Sequence, residues 1–144
     1  PLDEKYHFKC GWGRRGCAET VGSAKGINRL INFHLNESID TVIKSKSSAK
    51  KLFDAAKSGD EFAIKIVDIY SGYLAKLATT ISLTINPKTI IFGGGISNAG
   101  VYLIEKIRTS YLSNIPFEEL KDTNLVLAKL GNDSGIYGAA LLFK

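Results

Sequence analysis

The stretch that decides the fold is NPKTIIFGGGISNAG, residues 86–100, where an apolar run stands between a helix-breaking pair and three glycines. Residues 89–92 predict a short strand that is apolar on both faces, as is typical of a strand covered by helices on both sides. Asn86-Pro87 ends the preceding helix, because the residue before a proline is disfavoured in helical space. The sequence therefore predicts a helix, a buried strand and a glycine turn in succession.

Regular apolar spacing predicts the elements on either side. Upstream, Asp60 caps a helix that runs to about residue 85, and its apolar stripe consists of Phe62, Ile66, Val67, Tyr70, Tyr73, Leu74, Leu77 and Ile81. Shorter helices are predicted from residue 17, interrupted at Gly22 and Gly26, and over 47–57. Downstream follow a helix over 99–112, a buried strand over 125–128 and a closing helix over 134–143. This alternation defines an α/β fold with parallel strands.

The composition describes one globular unit. The chain has 144 residues, of which 44% are hydrophobic and 23% charged, and this supports a single core. No apolar run approaches the roughly 20 residues that a membrane-spanning helix needs. Two cysteines, Cys10 and Cys17, are too few for a secreted disulfide scaffold, so we expect a cytoplasmic protein without membrane contact. The absence of methionine and the polar opening at Pro1 indicate a piece of a longer polypeptide.

The net charge of +5 does not favour nucleic-acid binding. The lysines are scattered, and one loose cluster is formed by Lys44, Lys46, Lys50 and Lys51. Their spacing is typical of the solvated face of a helical connector. We therefore do not expect nucleic acid as a partner of this segment.

The glycine turn predicts a surface for an anion. Gly93, Gly94 and Gly95 follow the carboxyl end of a strand, where open α/β sheets place their ligands. A phosphate can lie there against bare main chain at the start of the next helix. Asn98 breaks the dinucleotide fingerprint, and Val101 stands where a P-loop carries lysine. A plain tight turn is the alternative interpretation of the same residues.

A second informative stretch is CGWGRRGCAE, residues 10–19. Its glycines predict a tight loop between a short strand and the first helix. The stretch resembles the signature C-x-C-G-x-x-G-C-x-E of the ROK family (repressors, open reading frames and sugar kinases). The resemblance covers nearly the whole chain, since it continues in order through Ser58-Gly59-Asp60, Asn86-Pro87, residues 90–96 and Gly138-Ala139-Ala140.

The resemblance implies the actin-like ATPase (ribonuclease H-like) fold, in which two α/β domains close over a cleft. Residues 1–144 would be the C-terminal domain, with the N-terminal domain absent. The resemblance also implies ATP and Mg²⁺ as cofactors, a hexose substrate with glucose first, and a homodimer. By match to the signature, Glu19 would hydrogen-bond sugar hydroxyls, and Gly93, Gly94 and Gly95 would lie against ATP. The alternative for Glu19 is a first-turn glutamate favoured by the helix dipole.

The family's zinc site is where this sequence departs from the resemblance. Family members hold zinc with three cysteines and an upstream histidine. Cys10 and Cys17 match two of these metal ligands, but Trp12 stands at the third and the histidine motif would fall before Pro1. Because a closed structural site needs four ligands, we expect two reduced cysteines and a Trp12 that packs the loop apolarly. His7 is the nearest further candidate ligand.

No catalytic residue is assigned within the chain. The resemblance implies that the phosphate loop, the general-base aspartate and other sugar ligands lie upstream. Asn132-Asp133 resembles the family's catalytic pair, but its place before the last helix favours capping. His34 lies among polar residues and is expected at the surface.

The resemblance implies the C-terminal part of a glucokinase-like, ATP-dependent hexose kinase that transfers the γ-phosphoryl group to a sugar hydroxyl. The 144 residues alone are expected to be inactive. Two alternatives stay open. One is the effector-binding domain of a sugar-responsive transcriptional repressor of the same family, and the other is a catalytically inactive interaction module.

Overall fold

The computed structural model describes residues 5–37, 40–130 and 133–143 as helices around a small parallel sheet. The elements are α1 (Ala18–Gly22), α2 (Ala24–His34), α3 (Ala49–Lys57), α4 (Glu61–Ile85), β1 (Thr89–Phe92), α5 (Val101–Asn114), β2 (Asn124–Leu127) and α6 (Ser134–Leu141). Short 3₁₀ turns cover Leu35–Glu37, Gly95–Ala99 and Glu118–Leu120. None of the helices in the described ranges combines the length and apolar character needed to cross a bilayer.

Helix α4 is the centre of the fold and packs against α5, α3, α1 and α2. The predicted cap is confirmed, because the Asp60 carboxylate accepts a hydrogen bond from the Ala63 N–H at 2.8 Å. The Thr41 hydroxyl donates to the same carboxylate at 2.8 Å. Asn86 ends the helix as predicted, in the left-handed region with φ 44°. Local sequence therefore fixes both ends of the longest element.

The apolar stripe of α4 is buried over most of its length. Its fully buried members are Phe62, Ile66, Val67, Tyr70 and Leu74. Tyr73 and Leu77 are half-buried against the core, but Ile81 is 40% exposed. The stripe was predicted to be continuous, and it loses its cover in the last turns of the helix.

The two strands pair in parallel, as predicted, with Thr89 beside Asn124 and Phe92 beside Leu127. The prediction that both strands are buried is wrong for β1, where exposure alternates along the strand. Ile90 and Phe92 pack against the core, whereas Ile91 on the opposite face is 65% exposed. The described helices therefore cover one face of this strand, and its apolar sequence alone could not reveal that.

The predicted interruption of the first helix lies at one glycine rather than two. Helix α1 ends at Gly22, and the Ser23 hydroxyl then accepts a hydrogen bond from the Gly26 N–H at 3.1 Å to start α2. Gly26 lies inside α2. Glycine is needed at this position because a Cβ would be 2.0 Å from the Val21 carbonyl oxygen. Close approach of the two helices, and not a break, explains this glycine.

The helix predicted from about residue 99 starts slightly later. Gly100 has φ 71°, a conformation that side chains disfavour, and it separates the 3₁₀ turn Gly95–Ala99 from α5. The closing helix α6 is present over Ser134–Leu141, and its described side chains are exposed.

His34 is buried, so the prediction of a surface histidine is wrong. Its Nε2 lies 2.9 Å from the Tyr6 hydroxyl, and its Nδ1 lies 2.7 Å from Glu37 Oε2. Lys65 Nζ on α4 donates to the same Glu37 oxygen at 2.8 Å. The imidazole can be buried because both ring nitrogens have partners.

Candidate functional site

The loop at residues 10–16 is a closed turn with an isolated bridge at its base. Lys9 and Arg15 form an antiparallel bridge in place of the predicted short strand. The Cys10 N–H donates to the Arg14 carbonyl at 2.8 Å, and the Gly13 N–H donates to the Cys10 carbonyl at 2.9 Å. Gly13 has φ 76°, as the predicted tight loop requires.

Helix α1 carries Glu19 and is held at both ends. At its start, the Thr20 hydroxyl donates to the Cys17 carbonyl at 2.6 Å. At its end, the Tyr70 hydroxyl of α4 donates to the Gly22 carbonyl at 3.3 Å. Burial raises the pKa of Tyr70, so its hydroxyl stays protonated and remains a donor. These contacts fix the backbone from which Glu19 projects.

The Glu19 carboxylate is accessible. Its side chain is 55% exposed, and its Oε1 lies 3.9 Å from Arg29 Nη1, too far for a hydrogen bond. That Arg29 nitrogen donates instead to the Thr20 carbonyl at 3.1 Å. The carboxylate can therefore accept hydrogen bonds from a ligand's hydroxyl groups.

The loop does not fit a zinc ion. Within residues 5–37, 40–130 and 133–143, no three histidine, cysteine, aspartate or glutamate side chains converge in a way that could hold a metal. Trp12, at the position of the family's third ligand, is 92% exposed, so the prediction that it packs the loop is wrong. Cys10 is buried and Cys17 is partly exposed, and the structure shows no disulfide between them.

The two cysteines nevertheless lie together. Their side chains are in hydrogen-bonding contact, which lowers the pKa of Cys10 and raises the pKa of Cys17. The Trp12 backbone N–H adds a hydrogen bond that lowers the pKa of Cys10 further. The negative charge of Glu19 opposes ionisation of both thiols. The structure thus brings Cys10, Cys17 and Glu19 into one small region.

The glycine turn exposes main chain at the carboxyl end of β1. Gly94 has φ 85°, in the region that favours glycine, and the Ser97 hydroxyl donates to its carbonyl at 2.7 Å. A Cβ placed on Gly94 or Gly95 would meet no atom within 4 Å, and one on Gly93 would make ordinary contact with Ala128. The space above these residues is open, which fits a ligand lying against the backbone.

A pocket of about 330 Å³ adjoins the turn and was not predicted. It lies between Gly95 and Ala99 on one side and helix α3 on the other, where Phe53 and Lys57 line it. Lys57 Nζ lies 3.4 Å from the Ala99 carbonyl oxygen. The pocket depends on the packing of two distant segments, so no local signal could have revealed it.

A second, larger depression of about 860 Å³ also borders α3 and shares Lys50 and Asp54 with this pocket. It contains Asp60, whose carboxylate is already used to cap α4. It contains none of the predicted site residues, and we assign it no ligand.

Of the pair Asn132-Asp133, only Asp133 lies within the described residues, and Asn132 lies outside them. Asp133 occupies the N-cap position of α6, but its backbone is helical and its side chain accepts no capping hydrogen bond. Asp133 therefore does not cap α6 as predicted.

Comparison with known proteins gives the family. A profile described as the ROK family matches residues 2–144, and the chain belongs to this family. A glucokinase from Thermotoga maritima is 35% identical over 141 residues, which cover 94% of this chain and 44% of that protein. The chain spans less than half the length of the curated relatives that it matches.

Solved structures of the family share the fold. A ROK family glucokinase from Streptomyces griseus, crystallised with glucose and AMPPNP, has a TM-score of 0.78 and 24% identity, over 95% of this chain and 47% of that one. A ROK family transcriptional regulator, a homologue of the E. coli MLC protein, has a TM-score of 0.69 and 23% identity, over 88% of this chain and 33% of that one. The fold is that of the actin-like ATPases, as predicted.

Proposed function

We propose that residues 1–144 are the C-terminal domain of an ATP-dependent hexose kinase whose substrate is glucose. The observation that carries the proposal is the open glycine turn beside the pocket at α3, in a chain whose curated relatives include glucokinases. Gly93, Gly94 and Gly95 would hold the nucleotide, and Glu19 would hold the sugar. The intact enzyme would act in the cytoplasm as a homodimer.

The nucleotide assignment is supported by shape. The pocket volume of about 330 Å³ lies within the range of small-molecule sites. Gly94 and Gly95 leave the main chain bare where phosphates would approach, and Lys57 supplies a positive charge at the edge of the pocket. A structure of similar fold was crystallised with AMPPNP, a nucleotide analogue, which supports ATP as the ligand.

The sugar assignment is supported by the accessibility and charge of Glu19. A carboxylate accepts hydrogen bonds from two neighbouring hydroxyl groups, and it can thereby select among sugar stereoisomers. The helix contacts of Thr20 and Gly22 hold α1 in place, so Glu19 would position the sugar without taking part in bond making.

The remaining chemistry would come from outside these 144 residues. ATP, with Mg²⁺ neutralising phosphate charge, supplies the phosphoryl group when bound. A general base on the sugar hydroxyl is required, and we assign none to the described residues. We therefore expect residues 1–144, expressed alone, to show no phosphorylation of glucose in a coupled assay.

Two substitutions in the full-length protein test the two binding roles separately. Glu19→Gln keeps the size of the side chain but removes its charge, and a hydrogen bond to a charged group is worth about 1.5–3 kcal/mol. We expect kcat/KM for glucose to fall by about 10–100-fold, with KM for ATP unchanged. Gly95→Val adds an isopropyl group to open space, and we expect KM for ATP to rise by about tenfold with KM for glucose unchanged.

The matched control for Glu19 is Glu61→Gln, which removes another carboxylate from the first turn of a helix. If the only role of Glu19 is its favourable interaction with the helix dipole, Glu19→Gln and Glu61→Gln should lose similar amounts of stability, and neither should lose activity. Equal loss of glucose and ATP binding in Glu19→Gln, or unchanged ATP use in Gly95→Val, would contradict the proposal.

The second candidate is the effector-binding domain of a sugar-responsive repressor, because a ROK transcriptional regulator also shares the fold. A repressor would not phosphorylate glucose, fructose or N-acetylmannosamine in a coupled assay, and sugar would change its affinity for DNA. A protein that did neither would be an inactive interaction module.

A further inference from the structure

Arg29 lies on the face of α2 that contacts α1. Gly26 and Arg29 are three residues apart in α2, so they lie on the same side of this helix. Gly26 is so close to α1 that a Cβ there would be 2.0 Å from the Val21 carbonyl oxygen. The Arg29 side chain therefore starts beside the backbone that carries Glu19.

One guanidinium nitrogen of Arg29 lies near both the backbone and a side chain of α1. Arg29 Nη1 donates to the Thr20 carbonyl at 3.1 Å, and the same nitrogen lies 3.9 Å from Glu19 Oε1. Helix α1 has five residues, and a helix this short is not stable through its own hydrogen bonds. The hydrogen bond to Thr20 therefore fixes the guanidinium group and the α1 backbone relative to each other.

The distance between Arg29 and Glu19 allows attraction while the carboxylate stays available. Opposite charges attract at 3.9 Å, but Glu19 Oε1 accepts no hydrogen bond from Nη1 at this distance. Because both side chains are partly exposed, the pair contributes little to folding stability. The attraction instead limits the orientations of an exposed glutamate, and a side chain that is oriented before binding loses less entropy when a ligand binds.

We propose that Arg29 is a positioning residue that holds the Glu19 carboxylate in the orientation that accepts hydrogen bonds from a hexose. This inference rests on the sugar-binding role of Glu19 proposed above. The hydrogen bond to Thr20 fixes the position of the positive charge, and that charge orients the carboxylate. Arg29 therefore affects sugar binding through Glu19.

The test is a double-mutant cycle in the full-length protein, in which calorimetry measures the dissociation constants for glucose and for AMPPNP. Arg29→Met removes the charge and the hydrogen-bond donors but keeps an unbranched side chain. We expect it to weaken glucose binding by about five- to tenfold and to leave AMPPNP binding unchanged. In the Glu19→Gln background, Arg29→Met should change glucose binding by less than about twofold, because the charge it removes has no charged partner there.

Arg108→Met is the matched control, because Arg108 of α5 also donates to a backbone carbonyl, that of Leu125, at 3.2 Å. It should leave glucose binding unchanged, whatever its effect on the urea midpoint. Three results would overturn the proposal: an equal effect of Arg29→Met with and without Glu19→Gln, an equal loss of AMPPNP binding, or an equal loss of glucose binding in Arg108→Met. Each would show that Arg29 supports the fold without acting through Glu19.

Arg29→Lys is the second variant, and it decides the matter if Arg29→Met does not fold. Lysine keeps the positive charge, but its single ammonium group does not reproduce the planar fork of arginine. We expect Arg29→Lys to weaken glucose binding by about threefold in the unmodified background and to have no effect with Glu19→Gln. The same change in both backgrounds, or no change in either, would contradict the proposal.

The positioning role of Arg29 and the sugar role of Glu19 fail in different ways. Unchanged glucose binding in Glu19→Gln would refute the sugar role of Glu19, and the role of Arg29 with it. If Glu19→Gln weakens glucose binding but the effect of the Arg29 variants does not depend on Glu19, the role of Arg29 alone is refuted.

Discussion

Helices α2, α3 and the first turns of α4 bury most of their apolar side chains, whereas β1 and α6 leave many of theirs exposed. Leu30, Leu52 and Ile66 are fully buried on the three helices. Strand β1, in contrast, exposes every second residue, and the described side chains of α6 are exposed throughout. Both regions have apolar sequences, so the difference lies in what covers them. We call the first region the helical layer (α1–α4) and the second the sheet side (β1, β2 and α6).

The two regions differ in how far the described residues cover their own apolar side chains. The helical layer buries most of its apolar side chains within the described residues, apart from the last turns of α4. The sheet side leaves Ile91 and Ile136 in solvent, and exposed apolar surfaces of this kind mark contact areas. This matches a chain that spans less than half the length of its curated relatives.

The largest predicted effect compares the same truncation in the two regions. Ile66→Ala removes a fully buried side chain from α4, and it should lower the free energy of unfolding by about 3 kcal/mol through lost burial and a cavity. Ile91→Ala removes a side chain that is mostly in solvent, and it should cost the 144-residue chain less than about 1 kcal/mol. Urea denaturation followed by circular dichroism measures both. Equal losses would remove the distinction between the regions.

The second prediction places a methyl group on one glycine of each region. In Gly26→Ala the new Cβ meets the Val21 carbonyl oxygen, a backbone atom that cannot turn away, and we expect a loss of about 2 kcal/mol. In Gly95→Ala the Cβ enters open space, and the free energy of unfolding should change by less than about 0.5 kcal/mol. The midpoint of urea unfolding distinguishes them. A stable Gly26→Ala variant would mean that α1 and α2 can separate without loss.

The helical layer was the more predictable region because its signals are local. Asp60 and Asn86 bound α4 as their side-chain and backbone preferences dictate. The cover of Ile91 depends on which elements reach the strand, and nothing near residue 91 in sequence specifies that. The order of strands and helices could thus be predicted, but their burial could not.

Contacts between residues distant in sequence also explain the wrong predictions for individual side chains. His34 was assigned to the surface from its polar neighbours, but its partners are Tyr6, 28 residues away, and Glu37. Trp12 is predicted to pack the loop, but its side chain is almost entirely in solvent. The pocket between Phe53 and the glycine turn was missed for the same reason, since its walls meet only after folding.

The smallest predicted effect is a pH dependence at Glu37, which links α2 to α4 within the helical layer. Hydrogen bonds from His34 and then Lys65 lower the pKa of Glu37 to about 2. Because this pKa is below that of the unfolded chain, the contribution to stability is complete above the unfolded value and is lost as the pH falls toward the folded one. Glu37→Gln should therefore lower the urea midpoint at about pH 6, and the difference from the unmodified protein should shrink as the pH falls through about 4 and 3.

The control for this prediction lies beside the sheet, at Glu118, which pairs with Lys121 in the same short turn. That pair joins no separate elements and Glu118 is largely exposed, so Glu118→Gln should shift the urea midpoint little at any pH. A pH-independent penalty for Glu37→Gln would mean that the side chain acts through packing, since a charge interaction must vanish when the carboxylate is protonated. Equal shifts for the two variants would show that ion pairs stabilise the helical layer no more than they stabilise the exposed turn.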